Sequence, residues 1–491
     1  MGQDVEARSF TGEDRARHRA KVRRNLDVLA VMLGEQDFSV ADPQVGIEIE
    51  FNLVDDSGDP AMRNAETLAA IADDDFQTEL GLFNVEINVA PGPVAGDGLA
   101  AMATEIRDDL NEAQSKAAGV GTGLVMIGIL PTLAEGHFTA DTISANPRYH
   151  LLSEQILAAR GEDIEIVIAG VERLHATADT IVPEAACTST QLHLQVEPED
   201  FAPAWNAAQA IAGVQVAVGA NSPFLLGRRL WHETRIALFE QATDTRTDEL
   251  KVQGVRPRVW FGERWITSVF DLFEENVRYF PALLPIVEEE DPVAELAAGR
   301  IPNLPELRLH NGTIWRWNRP IYDVADGRPH LRVENRVLPA GPTVRDTVAN
   351  AALFYGLVTA LTGQDRPVWT QMSFRGAEDA FHAAARDGIE ADLFWPGVGT
   401  VPTRELVLRH LLPLAYVGLD QRGVDPAVAE EFLGIIERRC VTGRNGAVWL
   451  TDEHDRLSRT GAAPADVMRE VTRRYVELMH TGEPVHTWPV G

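Results

Sequence analysis

The chain has 491 residues, 45% hydrophobic and 24% charged, the composition of a folded protein long enough for two or three average domains or one large sheet. Its 74 acidic and 44 basic residues give a formal net charge of −30, which excludes nucleic acid and anionic membrane as main partners but not an anionic substrate in a cleft lined by arginine and metal. Two cysteines, Cys187 and Cys440, exclude a thiol-rich metal site and argue against a disulfide framework, so a reducing, cytoplasmic setting is expected.

The start of the chain carries Asp4, Glu6 and Arg8 before any apolar run, so no secretory leader is expected. Residues 11–33 are expected to form a helix beside the sheet, N-capped by Thr11, with a wet side from Arg15 to Arg24 and an apolar stripe at Leu26, Leu29, Val31 and Leu33. Gly46-Ile47-Glu48-Ile49-Glu50-Phe51 then alternates as a strand does, putting Ile47, Ile49 and Phe51 on one face and Glu48 with Glu50 on the other. Two carboxylates that close repel each other, and a hard divalent cation such as Mg2+ relieves that repulsion. The bland alternative is a half-buried strand whose polar face meets water. A turn at residues 55–59 and a solvated acidic loop at residues 73–75 follow. Residues 84–90 repeat the design, with Val85, Ile87 and Val89 opposed to Glu86 and Asn88, and Pro91-Gly92-Pro93 is expected to break it. A helix at residues 99–118, a continuous buried strand at residues 123–130 and a turn entering a helix at Asn146-Pro147-Arg148-Tyr149 come next.

Residues 190–196 oppose Leu192, Leu194 and Val196 to Gln191, His193 and Gln195. Residues 204–226 carry no charge but include Asn206, Gln209, Gln215, Asn221 and Pro223, which fits a core helix and loop better than a membrane span. A helix at residues 231–242 has Arg235 near its centre, residues 312–320 read as a strand ending at Pro320, and residues 331–337 set Arg332, Glu334 and Arg336 on one face. From Val344 the pattern is helical to the end. The expected organisation is a single integrated α+β domain over residues 1–491: an N-terminal helix in 1–40, a sheet-bearing body in 41–343 and a helical layer in 344–491. If the polar faces of the four strands lie together, they gather four carboxylates, an imidazole and several guanidinium groups, a place for a polyphosphate and its metal ions. No glycine-rich phosphate loop, nucleophile elbow or H-E-x-x-H is present, so metal and arginine must hold any phosphate.

In this order the segments resemble the glutamate–cysteine ligase type 2 family of carboxylate–amine ligases, which shares the glutamine synthetase catalytic fold. The resemblance rests on Gly46 to Phe51, Asn84 to Ile87, Gln191-Leu192-His193, Ala220-Asn221-Ser222-Pro223-Phe224 with Arg235, Gly312 to Trp315 with Arg319-Pro320, Glu334-Asn335-Arg336, and Thr442 to Trp449. It implies a curved, mainly antiparallel, funnel-like sheet flanked by helices, with ATP and Mg2+ as cofactors. Glu48, Glu50, Glu86, His193 and Glu334 would ligate metal, Arg319 and Arg336 would meet the γ-phosphate or the acid, assisted by Arg235, and Gln191, His193 and Arg316 would face the nucleotide. Many relatives have a second histidine on the strand that here carries Gln191, His193 and Gln195, and the form Trp315-Arg316-Trp317-Asn318 leaves Arg316 and Arg319 as alternatives for one role. The implied reaction forms a γ-glutamyl amide through an acyl phosphate, from glutamate or a similar acid and an amine such as cysteine, with glutathione biosynthesis as the family setting. Partners are small molecules, with no nucleic acid and no membrane, and homo-oligomerisation is left open. A phosphotransferase of guanidino-kinase type and a non-catalytic nucleotide- or amino-acid-binding protein are the alternatives; the intact set of Glu48, Glu50, Glu86, Glu334 and Arg336 counts against the second.

Overall fold

The alternation around Glu48 and Glu50 becomes β1 (Gln44–Val54) in a computed structural model that describes residues 9–39 and 43–491. Asp4, Glu6, Arg8 and the expected boundary at residues 40/41 lie outside the described residues. The other strands joined to β1 are β2 (Phe76–Thr78), β3 (Asn84–Pro93), β4 (Gly123–Val125), β5 (Ser189–Val196), β6 (Asn318–Ala325) and β7 (Arg328–Pro339). Among the described residues they make a seven-stranded sheet in the order β6-β7-β5-β1-β3-β2, with β4 on the far end of β1, and its ladders are antiparallel. The sheet is curled into a half-barrel flanked by helices, the fold class the resemblance implies.

Prolines do not end strands here as expected. β3 runs on through Pro91 and Pro93, pairing Gly92 with Val45 and Pro93 with Gln44, because β2 covers the other side of β3 only from Val85 to Ile87 and leaves that edge without a ladder to break. β6 runs through Pro320, on the outer edge of the sheet. There the Asn318 carbonyl accepts the Trp205 indole N–H at 2.9 Å and the Pro320 carbonyl accepts the Asn311 amide at 2.8 Å. The expected strand at residues 123–130 stops at Val125. Beyond it the chain is buried but irregular, and side chains replace the ladder: Tyr475 donates to the Met126 carbonyl at 2.7 Å, and Asn52 and Thr188 donate to that of Ile127.

Helix α1 (Gly12–Glu35) opens on Thr11, the expected N-cap, which the structure shows in a reciprocal capping box with Asp14. Its buried stripe is Val22, Leu26, Val28, Leu29 and Met32, whereas Val31, expected inside, is 43% exposed. Along the chain follow α2 (Gly98–Ala118), α3 (Pro198–Gly219), α4 (Thr234–Ala242), α5 (Val269–Tyr279), α6 (Pro305–Asn311), α7 (Val344–Thr362), α8 (Pro426–Thr442) and α9 (Pro464–Met479). Helix α3 is the expected core helix, buried throughout its second half. A ladder of buried amides ties it to the sheet: Gln209 accepts from Asn318 at 2.6 Å, Asn318 from Asn335 at 2.7 Å, and Asn335 from Gln215 at 3.1 Å. On the same side Tyr355 of α7 lies 3.3 Å from the carbonyls of Gly46 and His193. The helical last third is interrupted by a hairpin, Asp392–Trp395 with Gly399–Pro402, which the helical reading from Val344 does not contain. No helix of the described residues is long and apolar enough to cross a membrane.

Candidate active site

Antiparallel register decides which side chains meet. His193 on β5 stands opposite Gly46 on β1 and opposite Glu334 on β7, so Glu48, two residues along β1, is its diagonal neighbour. Glu48 Oε1 lies 3.0 Å from His193 Nε2. Arg332 Nε lies 3.1 Å from His193 Nδ1 on the other side of the ring. Glu334 faces Arg319 directly across the β6–β7 ladder and accepts from its Nε at 2.6 Å and Nη2 at 2.9 Å, and from Arg336 Nη1 at 3.3 Å. Burial pushes both carboxyls up, but His193 more than offsets this and holds Glu48 at about 2, while Arg319 and Arg336 hold Glu334 well below the usual range. One donor atom each from Glu48, His193 and Glu334 lies within 4.8 Å of the other two.

A second cluster adjoins the first. Glu50 and Glu86 are directly opposed on β1 and β3, and Glu79, in the connection from β2 to β3, completes a trio whose oxygens also lie within 4.8 Å of one another. Like charges so placed are destabilising in a dry site. Burial, reinforced by Glu50, raises Glu79 to about 7; burial with Glu48 and Glu79 raises Glu86 well above the carboxylate range. Glu184, on the short turn Val182–Ala186, is raised to about 8 by burial and then by Glu79 and Glu50. Burial also raises Glu50, against the pull of Arg336 and hydrogen bonds from Ser189 N at 2.7 Å and Oγ at 3.0 Å. Gln191 sits between the clusters, its Nε2 donating to Glu50 at 3.1 Å and Glu86 at 3.5 Å while its Oε1 accepts from Arg336. Asn88 Nδ2 donates to Glu86 at 3.1 Å. Arg336 Nε is buried with no hydrogen-bond partner among the described residues.

Two arginines expected here spend their hydrogen bonds elsewhere. Arg235 is 1% exposed on α4, and its donors are spent on Glu233 at 2.9 Å and on the carbonyls of Val337 at 2.5 Å and Arg336 at 3.4 Å. It braces β7 through these two carbonyls and reaches Glu50 by its charge alone, with no hydrogen bond to it among the described residues. Arg316 lies on a short strand, Trp315–Arg316, paired with Val259–Trp260 outside the main sheet. Its guanidinium is buried against Glu275 at 3.0 Å and Asn276 at 3.0 Å, with the Trp260 ring 4.7 Å away, so of Arg316 and Arg319 the structure brings only Arg319 to the cluster. Glu79 and Glu184 are the residues sequence reasoning missed. Neither lies on an alternating strand, and the only signal for Glu79 is a carboxylate seven residues before Glu86.

Residues 44–477 match the family model for glutamate–cysteine ligase family 2. The chain belongs to this family. It is a glutamate–cysteine ligase-like enzyme, and curated relatives agree: provisionally named glutamate–cysteine ligase 2-2 proteins of Mycobacterium sp. (strains KMS and JLS) are each 22% identical over 357 residues, 71% of this chain and 78% of theirs. The crystal structure of a glutamate–cysteine ligase from Francisella tularensis, in complex with AMP, has the same fold, with a TM-score of 0.55 at 12% identity over 93% of this chain and 91% of that one.

The donor set of this family member suits hard cations. The second trio is all carboxylate and the first is two carboxylates with an imidazole, whereas a soft metal would call for thiolate. The orphaned Nε of Arg336, above carboxylates that burial and mutual repulsion leave short of positive charge, suits an anion arriving with its cation.

Proposed function

We propose that the protein is an ATP- and Mg2+-dependent ligase that joins the γ-carboxylate of glutamate, or of a similar acid, to an amine. The observation that supports this most is the pair of adjoining clusters, Glu48/His193/Glu334 and Glu50/Glu79/Glu86, on one sheet face with the guanidinium groups of Arg319 and Arg336 between and beside them. The bound AMP of the Francisella tularensis enzyme, which has the same fold, supports a nucleotide as co-substrate. The two trios would hold Mg2+, which when bound neutralises phosphate oxygens.

In the proposed reaction a carboxylate oxygen of the acid attacks the γ-phosphorus as the bond to ADP breaks, giving an acyl phosphate. The amine nitrogen then attacks the acyl carbon, the carbon–oxygen bond to phosphate breaks, and the nitrogen loses a proton. Arg336, fixed through Gln191 and Glu334, presents donors to the phosphoryl oxygens, and Arg319 holds Glu334 in place. Glu50, pinned by Ser189 and Gln191, keeps one wall rigid.

Hydroxylamine tests the intermediate. With ATP, Mg2+ and glutamate it is expected to give a hydroxamate that requires all three, and Arg336→Lys, which loses the fork of donors, should make at most about a hundredth as much. Phosphorylation of a guanidino acceptor without any hydroxamate would replace the ligase reading with the phosphotransferase one.

A further inference from the structure

The face of β1 opposite the carboxylates borders another concavity. A cavity of about 480 Å3 lies among β1, β4, α2, the first turn of α7, α8 and residues 480–483 after α9. That is in the range of small-molecule sites, and at about 30 Å3 per water it has room for about sixteen water-sized groups, enough for an amino acid with a large side chain.

Its floor is apolar, made of Phe51, Leu124, Met126, Phe432 and Met479, all buried. Methionine side chains re-pack around varied shapes. Its rim is charged with both signs: Arg107 of α2 and Arg345 of α7 against Glu431 of α8 and Glu483. Arg345 is held between the two carboxylates, Nη2 3.2 Å from Glu431 and Nη1 3.7 Å from Glu483, yet its Nε is buried with no hydrogen-bond partner among the described residues. A simple apolar acid would leave the two glutamates facing its own charge, and a nucleotide would bring several negative charges against them. A zwitterion with an apolar tail matches all three features.

We propose that this cavity binds a free α-amino acid with an apolar side chain, its carboxylate toward Arg107 and Arg345, its ammonium toward Glu431 and Glu483, and its side chain on Phe51 and the two methionines. Phe51 is the neighbour of Glu50 on β1, so the occupant rests against the back of the strand that carries the carboxylate clusters.

Calorimetric titration of the full chain with L-phenylalanine, L-leucine and L-methionine, without ATP or metal, tests this, with 3-phenylpropanoate and 2-phenylethylamine as half-zwitterion controls. At least one of the three should bind once per chain, with both controls at least tenfold weaker. Ala103→Trp, which fills the cavity, should abolish binding; Arg345→Ala, at a side chain 40% exposed, should weaken it at least tenfold. Glu86→Gln in the other face should leave it unchanged. The proposal is overturned by no binding at millimolar concentration, by undiminished binding in Arg345→Ala, by controls that bind equally, or by loss of binding in Glu86→Gln, which would place the amino acid in the catalytic site.

Discussion

Glu86 is the carboxyl with most to gain from a cation, since it is buried, faces Glu50 across a ladder and has Glu48 and Glu79 as further neighbours. Glu86→Gln keeps its shape and its acceptor for Asn88 but removes the charge. Without metal it should melt higher than the wild type at neutral pH, because folding no longer has to force a proton onto a carboxyl that is ionised in the unfolded chain; Mg2+ should then raise the melting temperature of the wild type and not of the variant, and activity should fall by about two orders of magnitude or more. A variant that melts lower in chelator yet keeps wild-type activity would mean that Glu86 is only a structural residue. Arg319 and Arg316 separate in the same way. Arg319→Lys gives up the two-pronged hold on Glu334 and should lose activity with little change in melting. Arg316→Ala leaves Glu275 buried with less positive charge and should cost about 3 kcal/mol of stability, read from urea unfolding.

His18 of α1 and His310 of α6 carry a pH dependence remote from the carboxylates. Their rings are 6.4 Å apart, His310 Nε2 donates to the Asn276 carbonyl at 2.9 Å, and its buried Nδ1 has no partner among the described residues, so protonation adds an N–H with no acceptor. Burial pushes His310 down from 6.5 to about 4. With the folded value depressed, the unfolded chain takes up the proton first: no stability is lost above about pH 6.5, and the loss grows as pH falls to about 3 kcal/mol near pH 4. The urea midpoint of the wild type should therefore drop more between pH 7 and pH 4.5 than that of His310→Gln; parallel slopes would contradict this account.

The elements also show what sequence could disclose. Alternation was enough to place Glu48, Glu50, Glu86, His193, Glu334 and Arg336 on four strands, because a period of two survives any choice of neighbour. It could not supply Glu79 or Glu184, which reach the cluster from turns without a period. The rule that proline ends a strand failed at Pro91 and Pro320 because it presumes a ladder on both sides, and the apolar run from Met126 to Leu130 looked like a strand because hydrophobicity reports burial and not hydrogen bonding. Arg235 and Arg316 looked like ligand contacts because a buried arginine and a catalytic one read alike until their partners are known.

For the whole molecule the excess of 30 negative charges opposes compactness. Raising NaCl from about 0.05 M to about 0.5 M shortens the screening length roughly threefold and should raise the melting temperature; a fall would show that the surface ion pairs outweigh the general repulsion. The outer edge of β6 sets a different limit. In an open sheet such an edge is a template on which a strand from another copy can add, but here the Trp205 indole and the Asn311 amide already occupy the Asn318 and Pro320 carbonyls, and Pro320 has no N–H to offer. Strand addition at these positions would first have to strip off both side chains, one from the core helix α3 and one from α6. Amyloid-like growth from this edge should thus follow the unfolding curve and be absent from the native protein, however concentrated.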